Sequence, residues 1–185
     1  RLGSAPQLIR LLHPGPTMTI SMHQASAPRF VAMLKNLSAL LDKAEAHADA
    51  KKIEHTVFTL DRLYPDMFTL ARQVQIATDS AKGGMARLAG VDIPKFEDTE
   101  QTFGELKARV AKTIAYVETF KPAQIDGTEE KEIAFKAGGR EMKFKGLPFL
   151  LDFVYPNFYF HVTTAYDILR HRGVAIGKMD FLGGA

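Results

Sequence analysis

The sequence predicts an all-α fold, a four-helix bundle that carries a small β-hairpin before its last helix. Apolar residues recur every three or four positions along four stretches of the chain, which is the spacing of helices with one buried face. Around Gly138-Gly139 apolar and polar residues alternate instead, which is typical of a two-stranded hairpin. The chain has 185 residues, of which 46% are hydrophobic, and this suffices for a buried core.

The first helix is predicted from about Ala27 to Ala48. Pro28 suits its first turn, where the missing proline N–H would have no partner in any case. His47 lies at the end of the apolar face, and a short helix is expected around Phe58. The apolar face consists of Phe30, Met33, Leu34, Leu37, Leu40, Leu41 and Ala44.

The second helix is predicted to open at Pro65 and Asp66, because proline and a carboxylate both favour a first helical turn. It continues to Leu88, and Gly90 ends it. Its inner face consists of Met67, Leu70, Ala71, Val74, Thr78 and Ala81.

The third helix is predicted to start at Asp98, which together with Gln101 resembles a capping box, and to end at Pro122. Its apolar positions are Phe103, Leu106, Val110, Ile114 and Val117.

The hairpin and the last helix complete the predicted fold. The hairpin pairs residues 132–136 with 141–145, and it should pack on the bundle because an isolated hairpin is only marginally stable. The last helical region begins near Pro148, is interrupted at Pro156 and closes at Gly173. The apolar side of the hairpin consists of Ile133, Phe135, Met142 and Phe144, and that of the helix of Phe158, Val162, Ala165 and Leu169.

The N-terminus differs from the rest of the chain. Residues 1–17 contain one short apolar run followed by Pro14-Gly15-Pro16, and Met18 would be a natural start. We expect residues 1–17 to be a non-native or disordered N-terminal extension, with a genuine N-terminal arm as the alternative. Residues 18–185 are expected to form one helical domain.

Composition excludes several classes of protein. The chain has no cysteine, which excludes disulfides, thiolate metal sites and a cysteine nucleophile, and which fits a cytoplasmic protein. The net charge is +3 and the basic residues are spread along the chain, so nucleic acid is not an expected partner. No apolar stretch approaches the roughly 20 residues that a membrane-spanning helix needs.

Polar residues on the last helix form the main candidate site. Asn157, His161 and Thr164 lie at positions i, i+4 and i+7 and therefore share one face, beside the apolar one. Such side chains can line a cavity inside a helical bundle. The alternative is a buried structural histidine that is hydrogen-bonded to Asn157 or to a neighbouring helix.

The second helix offers possible partners for this face. Gln73, Gln75 and Asp79 interrupt its apolar pattern and can face the same cavity; the alternative is a solvated helix edge. Arg72 and Lys82 are expected to face solvent. Glu100, nearer the third helix, is likewise expected to be a surface charge.

The spacing of the histidines gives little support for a metal site. The sequence lacks the His-x-x-x-His and Glu-x-x-His pairs that bundles use for metals, and only His47 and His23 are candidates to join His161. Sequence motifs for serine hydrolases, nucleotide-binding loops and dinucleotide binding are also absent.

Three segments resemble a known bacterial family. They are residues 66–77 (DMFTLARQVQIA), 156–166 (PNFYFHVTTAY) and 177–183 (GKMDFLG), and they resemble the family catalogued as domain of unknown function 1993. That family is similar to the DinB/YfiT-like superfamily, whose members are regarded as metalloenzymes. The resemblance implies an up-and-down four-helix bundle, often a homodimer, in which three histidines bind a divalent metal and some members transfer low-molecular-weight thiols.

The resemblance also assigns residues to the superfamily's metal site. His161 matches the second histidine of the last helix, Asn157 stands where the first would be, and Thr164 replaces a glutamine. The histidine of the second helix corresponds to Gln73 or Gln75. One of three ligands is therefore retained, and amide oxygens are poor substitutes for imidazole on zinc or nickel.

Two functions follow as hypotheses. The first is a DinB-like bundle that has lost the three-histidine metal site and keeps a polar small-molecule pocket or a structural core. The second is a metal-dependent transferase acting on a small molecule or thiol, with zinc, nickel or manganese held by His161 together with His47 or Asp79. A third reading is an interaction protein without a ligand.

Overall fold

The computed structural model describes residues 19–184. The predicted extension of residues 1–17 lies outside the described residues. Within them the chain is mostly helical and carries one antiparallel hairpin, which confirms the predicted class. None of the helices in this part of the chain is both long and apolar enough to cross a membrane.

The described part contains nine α-helices, one π-helical segment and two strands. The π-helical segment, Phe149–Val154, joins α7 to α8. The α-helices are α1 (Met22–Ala25), α2 (Ala27–Ala50), α3 (His55–Thr59), α4 (Leu70–Ala89), α5 (Phe103–Val117), α6 (Pro122–Ile125), α7 (Gly146–Pro148), α8 (Tyr155–His171) and α9 (Lys178–Leu182). The strands are β1 (Glu132–Ala137) and β2 (Arg140–Lys145).

The four longest helices pack on one another and enclose the core. Helix α4 packs against α8 and α5, and α2 packs against α5 and α8. The predicted apolar faces supply most of this core, because the apolar residues of each helix recur every three or four positions and so lie on one buried side. Met67 is an exception, because it lies before the start of α4. The largest fully buried side chains include Phe30, Phe103, Phe149 and Phe158.

Helices α4 and α5 run in the same direction. Arg109 in the middle of α5 bonds to Thr78 in the middle of α4, and Tyr116 near the end of α5 reaches the carbonyl of Asp92, just beyond the end of α4. Residues 90–102, here called the crossover segment, therefore run back along both helices. The expected up-and-down order is wrong at this connection, because such a bundle reverses direction at every connection.

Helix α4 begins later than predicted. Thr69 caps it by accepting a hydrogen bond from the backbone N–H of Arg72, and the N–H of Leu70 donates to the carbonyl of Asp61 at 2.8 Å. Pro65 and its neighbours form a turn before the helix. Helix α4 ends at Ala89, one residue after the predicted Leu88. Gly90 is its C-cap, with a left-handed φ of 76° that favours glycine.

The predicted start of the third helix is also wrong. Helix α5 begins at Phe103, and its capping box is formed by Thr102 and Glu105 instead of the predicted Asp98 and Gln101. The carboxylate of Asp98 instead pairs with arginine side chains, which keeps this part of the chain in the crossover segment.

The hairpin confirms the predicted strands. Ile133 pairs with Phe144, and the turn at Gly138 and Gly139 has positive φ angles of 55° and 77°, which glycine adopts without strain. Its apolar side packs on the π-helical segment, with ring centroids of Phe144 and Phe153 5.4 Å apart. The hairpin therefore covers the bundle next to the start of α8, as expected.

The last helix also follows the prediction. Pro156 lies in the first turn of α8, directly after the π-helical segment, and Gly173 follows its end with a φ of 82°. Helix α9 then folds back, so that Phe181 packs on Tyr166 with centroids 5.8 Å apart.

Candidate functional site

His161 lies between α8 and α4, where these two antiparallel helices meet. Its side chain is buried, and its Nδ1 atom lies 2.6 Å from Oε1 of Gln73, which is also buried. Both residues were predicted from the sequence, and the structure brings these two together. A buried polar pair of this kind is stable only when each group has a partner.

The amide of Gln73 determines which ring nitrogen of His161 carries the proton. Nε2 of Gln73 donates a hydrogen bond of 3.1 Å to the backbone carbonyl of Phe68. The oxygen Oε1 therefore faces the imidazole, so Nδ1 of His161 must be the donor. In the neutral ring the other nitrogen, Nε2, then holds a free lone pair.

The surroundings of His161 keep it uncharged near neutral pH. Burial lowers the pKa of the imidazole from 6.5 to about 4, and the positive charge of Arg72 lowers this pKa in the same direction. The ring is therefore an acceptor, and a ligand for other groups, over the whole physiological pH range.

Asn157 and Thr164 flank His161 on α8 as predicted. Asn157 is half-buried, and its side chain forms no hydrogen bond within residues 19–184. Thr164 is buried, and its hydroxyl donates to the backbone carbonyl of Phe160 at 2.8 Å. The ring of Phe160 is exposed and meets the imidazole edge to face, with centroids 5.2 Å apart.

Gln75 and Asp79 lie on another side of α4 and do not join His161. Positions 73 and 75 are about 200° apart on a helix, so their side chains point to different neighbours. Nε2 of Gln75 donates to Glu100 at 3.0 Å, in the direction of the crossover segment. Oδ1 of Asp79 accepts a 3.0 Å hydrogen bond from Arg109 of α5.

Arg109 is the centre of a buried ionic network. Its guanidinium is 2% exposed and binds Thr78 and Asp79 of α4 as well as Asp98 and Glu100 of the crossover segment. The network therefore joins three parts of the chain that are distant in sequence. Such a buried arginine is stable because Asp79 and Glu100 accept charge-assisted hydrogen bonds from it and Asp98 adds an ion pair.

Two expected surface charges belong to this network. Lys82 is 4% exposed, and its ammonium lies 2.8 Å from Asp79 and 4.0 Å from the centre of the Phe96 ring. Lys112 lies on the same ring, also at 4.0 Å. Lys82 and Glu100 are therefore not surface residues, because ion pairs and a cation–π contact replace their water. Arg72, which pairs with Asp98, is half-buried.

Arg109 was not among the residues predicted from the sequence. One signal was present: Arg109 lies three positions after Leu106 and four before Thr113, within the face of α5 that is buried. A basic residue on an apolar face indicates a buried ion pair, and Asp98 and Glu100 are two of the matching partners.

The residues around His161 do not fit a three-imidazole metal centre. Among the described residues only one imidazole lies there, and its neighbours Gln73 and Asn157 offer neutral amides. His47 packs instead against Phe58 of α3, with ring centroids 5.9 Å apart. Within residues 19–184 no group of three or more histidine, aspartate or glutamate side chains is arranged to hold a metal ion.

Comparison with known proteins places this arrangement in a family. The model of the family described as "Domain of unknown function (DUF1993)" matches residues 22–182. The chain is similar to a crystal structure of a DinB family member protein from Shewanella denitrificans, with 43% identity and a TM-score of 0.79 over 88% of this chain and 92% of that one. No curated protein matches the chain. The family model covers nearly all of the described residues, so the chain belongs to the DUF1993 family and has a DinB-like structure.

Proposed function

We propose that the protein is a DinB-like four-helix bundle that has lost the three-histidine metal site and uses the region around His161 as a polar binding pocket. One observation carries the proposal: the 2.6 Å hydrogen bond between His161 and Gln73. By resemblance, His161 stands at the position of a metal ligand, and Gln73 stands at a position where the superfamily's histidine has been replaced.

The chemistry of the replacements supports this proposal. At both replaced positions an amide stands in place of an imidazole, and neutral amide oxygens bind zinc or nickel weakly. The oxygen of Gln73 is also occupied, because it accepts the Nδ1 proton of His161. What remains is a hydrogen-bonding surface.

The proposal also covers the organisation of the protein. By resemblance to the superfamily we propose a homodimer of bacterial cytoplasmic chains, each with residues 18–185 as one domain. The absence of cysteine is compatible with a reducing compartment.

A metal-dependent transferase is the second candidate, and the tautomer of His161 favours it. A histidine that donates its Nδ1 proton to an oxygen leaves Nε2 ready to bind a metal, as metal-binding histidines do. The additional ligands are the weakness of this candidate. Asp79 is bound to Arg109 and Lys82, and His47 packs on Phe58.

Elemental analysis of the purified protein, together with designed variants, tests the proposal. The wild-type chain is expected to hold no stoichiometric zinc, nickel or manganese. The double variant Gln73→His/Asn157→His should restore three imidazoles and bind zinc with one-to-one stoichiometry. Its matched control is Gln75→His/Asn157→His, because Gln75 points towards Glu100 and away from His161.

Two results would contradict the proposal. Stoichiometric zinc, nickel or manganese in the wild-type protein would favour the transferase. Equal zinc binding by both double variants would mean that Gln73 does not occupy the position of the lost ligand.

A further inference from the structure

We propose that Nε2 of His161 is the hydrogen-bond acceptor of a binding site for an uncharged molecule that carries an O–H or N–H group beside an apolar ring. This inference rests on the proposed function, because a metal on Nε2 would occupy the same lone pair. It adds the class of ligand and the atom that recognises it.

The imidazole of His161 is held in a fixed orientation. Gln73 is held at both ends, by the carbonyl of Phe68 on its NH2 group and by the Nδ1 proton of His161 on its oxygen. Rotation of this amide would place two acceptors, Oε1 of Gln73 and the carbonyl oxygen of Phe68, against each other, so Oε1 faces His161 and the Nδ1–H form of the ring is the stable one. The ring therefore presents a lone pair at Nε2 without any rearrangement.

Nε2 of His161 is accessible from outside the protein. His161 is 7% exposed, and its hydrogen bonding within residues 19–184 involves Nδ1. In the same part of the chain, no fully buried side-chain nitrogen or oxygen lacks a partner. Nε2 therefore lies at the edge of the buried region, where a ligand can reach it.

Nε2 of His161 has both apolar and polar neighbours. The Phe160 ring is 56% exposed and stands beside the imidazole, which gives a ligand an apolar contact. Asn157 lies one helical turn before His161, with its amide unpaired within the described residues, so it can bind a second polar atom of the ligand. The surroundings of Nε2 therefore combine one exposed apolar ring with a second polar group.

The charges around His161 favour an uncharged ligand. Arg72 directly precedes Gln73 on α4, so a positive charge stands near the site and disfavours a cationic ligand. Arg72 is itself paired with Asp98 and donates to Gln75, so it is not available to hold an anion. An uncharged donor remains as the ligand that suits the site.

Nitrogen-detected chemical shifts of the histidine rings test this inference on the full chain after treatment with a chelator. The probes are phenol, which carries an O–H donor on a ring, and anisole, which has the same ring without the donor. Phenol is expected to shift Nε2 of His161 on binding, and anisole should bind about tenfold more weakly, the effect of one hydrogen bond.

Variants separate the acceptor from general apolar binding. His161→Phe keeps an aromatic ring without the acceptor, and it should weaken phenol binding about tenfold without changing anisole binding. His171→Phe is the matched control, because His171 is exposed at the end of α8. If His161→Phe does not fold, the ring shifts of the wild-type protein still decide the question.

Distinct results overturn the two proposals. Metal in the wild-type protein contradicts the proposed function. A metal-free protein whose Nε2 carries the proton, or which binds phenol and anisole equally, contradicts only the ligand class inferred here.

Discussion

Arg109 of α5 and Asp79 of α4 lie 3.0 Å apart, and this ion pair joins two parallel helices. Parallel neighbours need a long connection, and the crossover segment provides it. The same guanidinium also binds Asp98 and Glu100 of that segment. One side chain therefore fixes the feature that distinguishes this bundle from an up-and-down one.

Replacing Arg109 should destabilise the fold strongly. Arg109→Met leaves the carboxylates of Asp79, Asp98 and Glu100 without their buried partner, and we expect a loss of about 3 kcal/mol in the free energy of unfolding. The value lies at the low end for buried pairs because Asp79 and Asp98 are partly solvated. Urea unfolding measures it.

The control is Lys107→Met. Lys107 also links two helices, since it pairs with Asp42 and Glu45 of α2, but it is solvent-accessible. We expect a loss of no more than about 1 kcal/mol. Equal losses in the two variants would show that burial of Arg109 contributes nothing.

His161 should remain neutral down to acidic pH. Its pKa is lowered to about 4, so NMR titration should show no protonation of this ring between pH 7 and 5. The unfolded chain takes up this proton near pH 6.5, so stability from His161 is complete above that pH and declines as pH falls towards 4. Titration near 6.5 in the folded state would mean that the ring is solvated.

Gln73→Glu should raise the pKa of His161. A carboxylate in place of the Gln73 oxygen would lie against Nδ1 of His161 and favour the protonated ring, which raises the pKa of His161. The same titration measures the change. Gln124→Glu, at an exposed position of α6, is the control and should leave the His161 titration unaltered.

Two glycines in helices should respond oppositely to alanine. A Cβ at Gly84 of α4 would lie 2.8 Å from Cγ1 of Val154, so Gly84→Ala should cost about 1–3 kcal/mol by overpacking. At Gly104 of α5 the nearest atom is 4.0 Å away, and alanine should stabilise the helix by about 0.5–1 kcal/mol. Thermal unfolding of both variants measures the difference. Stabilisation by Gly84→Ala would contradict the close approach of α4 to the π-helical segment.

The hairpin should contribute to stability through Phe144. Its half-buried ring packs on Phe149 and Phe153, so Phe144→Ala should cost about 2–3 kcal/mol, somewhat less than a fully buried phenylalanine. Phe160→Ala is the matched control, because Phe160 is exposed and should change the free energy of unfolding by no more than about 0.5 kcal/mol. Unchanged stability in Phe144→Ala would mean that the hairpin does not support the bundle.

The sequence alone determined the elements whose signals are local. The apolar repeat defined α2, and the alternation around Gly138-Gly139 defined both strands. Gly90 and Gly173 ended their helices as expected, because the left-handed backbone at these positions favours glycine. The resemblance carried by three short segments identified the family.

Tertiary structure decided what depends on distant partners. Asp98 resembled a helix cap, but arginines from α4 and α5 bind its carboxylate, so α5 begins at Phe103. Lys82 resembled a surface lysine, but its ammonium is buried, and contacts with Asp79 and the Phe96 ring take the place of hydration.

The candidate site divides in the same way. Helical spacing placed Asn157, His161 and Thr164 on one face, because that relation is fixed within one helix. It left open whether Gln73 or Gln75 meets His161, because this depends on how α4 is rotated against α8. The packing of the two helices decides it, and only there does the amide of Gln73 fix the tautomer of His161.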